Sequence, residues 1–282
     1  MPALLSRLLS LLIALLPMSL SAAWTVYASV PPIAALATEI GGTHVQTLNL
    51  LRPGDNPVTF APTPRQLLAL ADSQLYLRAG LPFEHIWMTR LRQVNPHMRV
   101  VDVREGIEVL TMHHAHGMHI PMSDPHLWSD PLAAIHIADN IRRALSELDP
   151  VHADDYRRGF EATRRRLQRL DHWIRTRLRQ RHAENFLVYH PAWGYFARRY
   201  ELHQLTIEHE GKQDGARWLT GLIERARRDG IRVVLIQPQF DQRQAEQIAR
   251  AIGARLVTID PLSADQETEL RRLVEALAEE TS

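Results

Sequence analysis

The sequence predicts an α/β protein of two lobes, each a mostly parallel sheet flanked by helices, with one long helix between them. Three observations predict it. Strand-like and helix-like patterns alternate along most of the chain, the signature of a parallel sheet with helical crossovers. The 282 residues exceed what a single hydrophobic core usually organises. Between the two alternating series runs an Arg-rich amphipathic stretch with no glycine after Gly159.

The first series begins at Trp24. Thr25 to Val30 is β-rich, Pro31 and Pro32 punctuate, and Ile33 to Ile40 carries apolar residues at helical spacing until Gly41 and Gly42 stop it. Val45 to Leu51 reads as a strand, and residues 52–66 as a long Pro-rich loop. A short helix from Arg65 to Ala71, a strand from Gln74 to Arg78, a helix from Leu81 to Gln93 and a strand from Arg99 to Val103 follow. Pro131 to Leu148 is amphipathic. From Pro150 to about His182, the apolar positions Tyr156, Phe160, Leu167, Leu170, Trp173, Ile174 and Leu178 recur at threes and fours. A helix of about 30 residues extends roughly 45 Å, enough to cross both lobes and tie them together.

The second series repeats the layout without an obvious sequence repeat. Strands are expected at Phe186–His190, His203–Glu208, Val233–Gln237 and Arg255–Ile259. Helices are expected at Trp193–Tyr200, Ala216–Asp229, Gln242–Ile252 and Glu267–Glu279.

The first residues carry an address. Arg7 is followed by a nearly unbroken apolar run, Leu8 to Leu16, then Pro17 and small residues at Ser19, Ser21, Ala22 and Ala23. That is the layout of a secretory signal peptide cleaved before Trp24, and the run is too short to span a bilayer. The expected division is a leader over 1–23, a first α/β lobe over 24–130, helices including the interlobe helix over 131–182, and a second lobe over 183–282. The mature chain is expected to be soluble in the periplasm. A net charge of +1 gives no general reason to expect a nucleic-acid partner, and the arginines between Arg157 and Arg181 read as a solvated helix face.

The chemistry concentrates in residues 112–131, MHHAHGMHIPMSDPHLWSDP, with five histidines: His113, His114, His116, His119 and His126. The chain has no cysteine. Neutral imidazole is a ligand for zinc and other late divalent ions, so the cluster points to metal handling without thiolates. His190 ends the apolar run FLVYH, and Asp260 ends RLVTID. In parallel sheets ligands gather at the carboxyl ends of strands, where both residues are expected.

These motifs resemble a known family. VYASVPPIAALATEIGG, FAPTPRQLLALADSQLYLRAG, DPHLWSDP, YHPAWGYFARRYEL, QPQF at Gln237 to Phe240 and IDPL at Ile259 to Leu262 together resemble the substrate-binding proteins of zinc and manganese ABC transporters, the zinc-uptake type in particular. The resemblance implies two lobes joined by one rigid helix, with the ion in the cleft between them. It implies His126, His190 and Asp260 as metal ligands, a partner inner-membrane ABC permease with its ATPase, and a monomer. Relatives usually carry a histidine where this chain has Val58, which cannot coordinate. Three protein ligands and water, a loop histidine (His113, His114, His116 or His119), or an altered site are the alternatives. Asp55 and His85 are more distant candidates.

Two imidazoles and one carboxylate suit Zn²⁺, whereas Mn²⁺ favours more oxygen ligands. The expected function is capture of zinc, or another divalent transition metal, for an ABC importer. A stand-alone periplasmic zinc buffer or chaperone is the alternative. A zinc hydrolase would need a general base; no HExxH is present, and Glu208 and Glu210 are the nearest candidates. No enzymatic activity is expected. Trp128 and Trp193 are expected to wall the cleft, Tyr195 and Phe196 to pack, and His136, His152, His172 and His182 to be solvated.

Overall fold

The computed structural model describes residues 23–52, 54–57, 59–112, 122–179, 184–207 and 216–279. The elements are β1 (Trp24–Ala28), α1 (Pro31–Gly41), β2 (Val45–Asn49), α2 (Pro64–Ala71), β3 (Leu75–Arg78), α3 (Pro82–Val94) and β4 (Arg99–Asp102). A two-residue ladder of β5 (Thr111–Met112) and β6 (Met122–Ser123) follows, then α4 (Pro131–Leu148) and α5 (Ala153–Leu178). The second series is β7 (Asn185–Val188), α6 (Gly194–Arg199), β8 (His203–Thr206), α7 (Ala216–Arg228), β9 (Val233–Ile236), α8 (Gln242–Ile252), β10 (Arg255–Thr258) and α9 (Gln266–Ala278).

Two four-stranded sheets result, ordered β2-β1-β3-β4 and β10-β9-β7-β8, with every pairing parallel. The two orders are the same topology. In each lobe the chain steps from the first strand to one neighbour, then returns across it to the third and fourth. The reversal creates a switch point between β1 and β3, and another between β7 and β9, where connecting loops diverge and leave a crevice. The central strands are mostly apolar, as expected of a parallel sheet, and all four residues of β9, VVLI, are buried.

The long helix α5 has 26 residues and so extends about 39 Å. It is shorter than the sequence pattern suggests because residues 150–152 form a separate 3₁₀ turn. Its buried residues Tyr156, Thr163, Leu167, Leu170, Ile174 and Leu178 fall on one stripe. Tyr156 and Leu167 belong to the first lobe's core, Leu170, Ile174 and Leu178 to the second's. Gly159 lets α5 lie directly on α1: a β-carbon there would stand 2.5 Å from the Ile40 carbonyl oxygen. Among the described residues, no helix is long and apolar enough to cross a membrane.

The strands of the second series end earlier than their apolar patterns. β7 stops at Val188 and β10 at Thr258, so His190 and Asp260 lie in the loops just beyond rather than on the strands. The apolar runs continue past the last paired residues, because a residue just beyond a strand end can still face the core, as the fully buried Ile259 does. His152 is also misread as solvated. Its ring stacks on His44 with centroids 3.8 Å apart, and its Nδ1 lies 2.6 Å from Asp149 Oδ2. His136 and His172 are exposed as expected; His182 lies outside the described residues.

Candidate metal centre

His126 sits in the loop DPHLWSDP, between the β5–β6 ladder and α4. Asp124 organises it. One oxygen, Oδ1, accepts both the backbone N–H of His126 at 2.9 Å and its ring Nδ1 at 2.8 Å. Both side chains are buried. An ionised carboxylate only accepts, so Nδ1 carries the proton and the lone pair lies on Nε2. The Ser129 hydroxyl donates to the His126 carbonyl at 2.8 Å, which closes the turn. Asp130 then caps α4 by accepting from the Leu132 N–H.

The second lobe reaches over to this loop through α6. The Tyr195 hydroxyl donates to the Asp124 carbonyl at 2.9 Å and accepts from the Leu110 N–H at 2.8 Å. Burial pushes that hydroxyl's pKa up to about 12, so it remains a donor at every ordinary pH. Tyr195 was expected only to pack; it also bridges the lobes. At Gly194 a β-carbon would stand 2.9 Å from Asp124 Oδ2, so glycine permits the close approach of α6. Arg199 and the buried Asp130 add an ion pair at 2.8 Å.

His190 lies beyond β7, at the second lobe's switch point. Gln237, beyond β9, clamps its backbone from across that gap. The His190 N–H donates to Gln237 Oε1 at 3.3 Å, and Gln237 Nε2 donates to the His190 carbonyl at 2.7 Å. The His190 ring stacks on Phe240 at 5.3 Å and meets His126 edge-on, with centroids 5.5 Å apart and planes inclined by 74°. Trp128 stands 5.5 Å from His126, and the buried Trp193 follows His190 closely in sequence. The two imidazoles therefore come together from loops 64 residues apart (190 minus 126), both buried.

Asp260 lies beyond β10. Its Oδ1 accepts from Gln239 Nε2 at 2.8 Å and from the Leu262 N–H at 2.9 Å, and its own N–H donates to Glu269. The next residue is tied to the histidine loop: Trp128 Nε1 donates to the Pro261 carbonyl at 2.7 Å. Among the described residues, no three His, Asp or Glu side chains are grouped closely enough to enclose an ion. The structure thus brings His126 and His190 together and leaves Asp260 engaged with Gln239 and Leu262.

The more distant candidates lie elsewhere. Asp55 accepts from the Arg52 N–H and closes its own loop. His85 is exposed on α3; partial burial and the nearby Arg78 and Arg104 lower its pKa. Val58, His113, His114, His116, His119, Glu208 and Glu210 lie outside the described residues. Sequence reasoning missed Asp124 and Gln237 as supports. The D-x-H spacing of Asp124 and His126 was the available signal, because a carboxylate two residues before a histidine can accept from both its N–H groups.

The family described as "ZnuA: Zinc-uptake complex component A periplasmic" matches residues 26–280. The chain belongs to this family. A crystal structure of a zinc-bound ZnuA deletion mutant superposes with a TM-score of 0.85 at 34% identity, covering 91% of this chain and 97% of that one. The iron-binding protein YfeA of Yersinia pestis is 26% identical over 241 residues, 82% of this chain and 76% of its own length. The zinc-binding protein AdcA of Streptococcus pyogenes is 21% identical over 261 residues; the match spans half of AdcA. The ZnuA-type fold is the two-lobed architecture implied by the DPHLWSDP, YHPAWGYF and IDPL motifs.

Proposed function

We propose that this chain captures a divalent metal ion, zinc in the first place, in the cleft between its lobes and delivers it to an inner-membrane ABC permease with its ATPase. His126 Nε2 and a ring nitrogen of His190 supply the imidazole ligands, and Asp260 supplies a carboxylate oxygen. The observation that carries this reading is the pair of buried imidazoles converging from two lobes. One of them has its Nδ1 anchored on a carboxylate, as metal-bound histidines commonly do.

The ion is cargo, and the residues suit that role. Capture needs deprotonated rings, a fixed donor geometry and partial exclusion of water; release needs few enough protein ligands for exchange. Gln239 and the Leu262 N–H both bond Oδ1 of Asp260, which leaves Oδ2 as the oxygen offered to the cation beside the Trp128–Pro261 contact. The histidines of residues 113–119 serve as additional donors that gather ions or complete the set in place of the missing imidazole at Val58. The leader and the family description support a periplasmic setting. Members of the family act in transport, and no hydrolytic activity is proposed.

Iron is the second reading for the ion, favoured by the likeness to YfeA. Calorimetric titration with Zn²⁺, Fe²⁺ and Mn²⁺ tests both. Zinc should bind most tightly, and His126→Ala, His190→Ala and Asp260→Ala should each weaken it at least about tenfold. Unchanged affinity in any one of these variants removes that residue from the ligand set.

A further inference from the structure

The long helix changes cores within one turn: Leu167 packs in the first lobe and Leu170 in the second. Arg166 stands at that change and reaches both lobes. One terminal guanidinium nitrogen donates to the two oxygens of Glu39 on α1, at 2.9 and 3.0 Å. The other donates to Glu267 Oε2 on α9, at 3.1 Å. Each carboxylate has a second tether: Thr163 donates to Glu39 at 3.0 Å, and Arg271 donates to Glu267 at 2.8 and 3.1 Å. A guanidinium is suited to this bridge because its planar fork presents donors in two directions at once.

The clasp lies next to the ligand-bearing loops. Glu39, Arg166 and Glu267 line a cavity of about 60 Å³ together with Trp128. Trp128 is the residue whose ring faces His126 and whose Nε1 holds the carbonyl beside Asp260. A change in the angle between the lobes at Arg166 is thus felt at the wall shared with the histidine loop.

We infer that Arg166 is a positioning residue for metal capture, which clasps the two lobes so that the spacing of His126 and His190 is set before the cation arrives. The inference rests on the proposed site. Partial burial works against the charge on Arg166, but Glu39 and Glu267 outweigh it and raise its pKa. Each of the three side chains is about a third exposed, so the pairs add little to global stability. Their effect is on geometry. When only a fraction of molecules holds the binding-competent arrangement, apparent affinity falls by that fraction.

The absence of native cysteine makes the test direct. Spin labels at Ile86→Cys and Arg243→Cys, exposed sites in different lobes, report the interlobe distance distribution of the metal-free mature chain. Arg166→Met should broaden that distribution and lower zinc affinity about three- to tenfold, with a melting shift of no more than about 4 °C. Glu39→Gln and Glu267→Gln should each broaden it similarly, and their combination should add nothing beyond Arg166→Met, because a clasp fails when either arm is cut. Arg166→Lys should fall between, since one ammonium lacks the fork. An unchanged distribution in Arg166→Met, additive broadening by the two Glu variants, or a broadened distribution with unchanged zinc affinity overturns the inference. His126→Ala/His190→Ala keeps the two failures apart. It should abolish zinc binding and leave the distance distribution as in the unsubstituted chain; failure of the unsubstituted chain to bind zinc overturns the site reading instead.

Discussion

Asp124 offers the sharpest test of how the histidine is held, because one oxygen does two separable jobs. It accepts the backbone N–H of His126 at 2.9 Å and the ring Nδ1 at 2.8 Å, with both residues buried. In Asp124→Ala both donors lose their acceptor, at about 1–3 kcal/mol each if no water replaces it. The backbone donor is lost equally with and without metal, so its cost falls on stability. The ring donor fixes the tautomer and orientation of the ligand, so its cost falls on metal binding, about 10–100-fold. Asp124→Asn keeps a carbonyl oxygen in place and removes only the charge. Since charge-assisted hydrogen bonds are about twice as strong as neutral ones, it should weaken zinc binding by about three- to tenfold with little change in melting temperature. Competition against a chromophoric chelator measures the affinity, and calorimetry the melting. In a His126→Ala background the further change Asp124→Asn should have no effect on affinity. Wild-type affinity in both Asp124 variants, or a full additive loss in the His126→Ala background, would refute the linkage of this carboxylate to a metal-binding ring.

Other expectations are simpler. Gly194→Ala puts a methyl group 2.9 Å from Asp124 Oδ2 and must push that carboxylate or α6 away, so zinc affinity should fall about tenfold while the fold is kept; titration calorimetry with circular dichroism checks both. Val58→His should supply the missing imidazole and tighten zinc binding, and an unchanged Kd means that another donor already fills the position. The acid side of the stability curve should carry the mark of Asp149. Its burial alone would raise the pKa, but hydrogen bonds from Tyr156 and His152 outweigh this and hold it below the ordinary 3.8. A depressed carboxyl stabilises the fold above its unfolded pKa and loses that contribution as pH falls through the folded value. Asp149→Asn should therefore lower stability at neutral pH and flatten the loss below about pH 4, as followed by urea unfolding across pH. An identical pH slope in the variant contradicts that assignment.

Much of the architecture was legible because it is written in local patterns. The strand–helix alternation, the apolar stripe of α5 from Tyr156 to Leu178 and the proline and glycine punctuation of α1 are read within a few residues of one another. Pro131 to Leu148 and Gln242 to Ile252 coincide with their helices because Asp130 and Asp241 cap them and proline or glycine marks an end. His126 and His190 were legible as candidates from their motifs, but their meeting depends on contacts between the lobes, such as those of Tyr195 with Asp124 and of Trp128 with Pro261. What local pattern cannot carry is pairing at a distance. Gln237 clamps a backbone 47 residues away, and Trp128 bonds a carbonyl 133 residues away. The stacking of His44 on His152 and the two hydrogen bonds of the Tyr195 hydroxyl, from the Leu110 N–H and to the Asp124 carbonyl, are of the same kind. Asp260 shows the converse: its place at a sheet's carboxyl edge was legible, but its hydrogen bonds to Gln239 and Leu262 follow from loop geometry alone.

The central claim is that His126 and His190 share one cation. Zinc K-edge X-ray absorption on the loaded mature chain tests it most directly. The account predicts imidazole scattering from at least two rings with first-shell distances near 2.0–2.2 Å, and loss of that signal in His126→Ala/His190→Ala. A spectrum without imidazole, or one that the double substitution leaves unchanged, would contradict it.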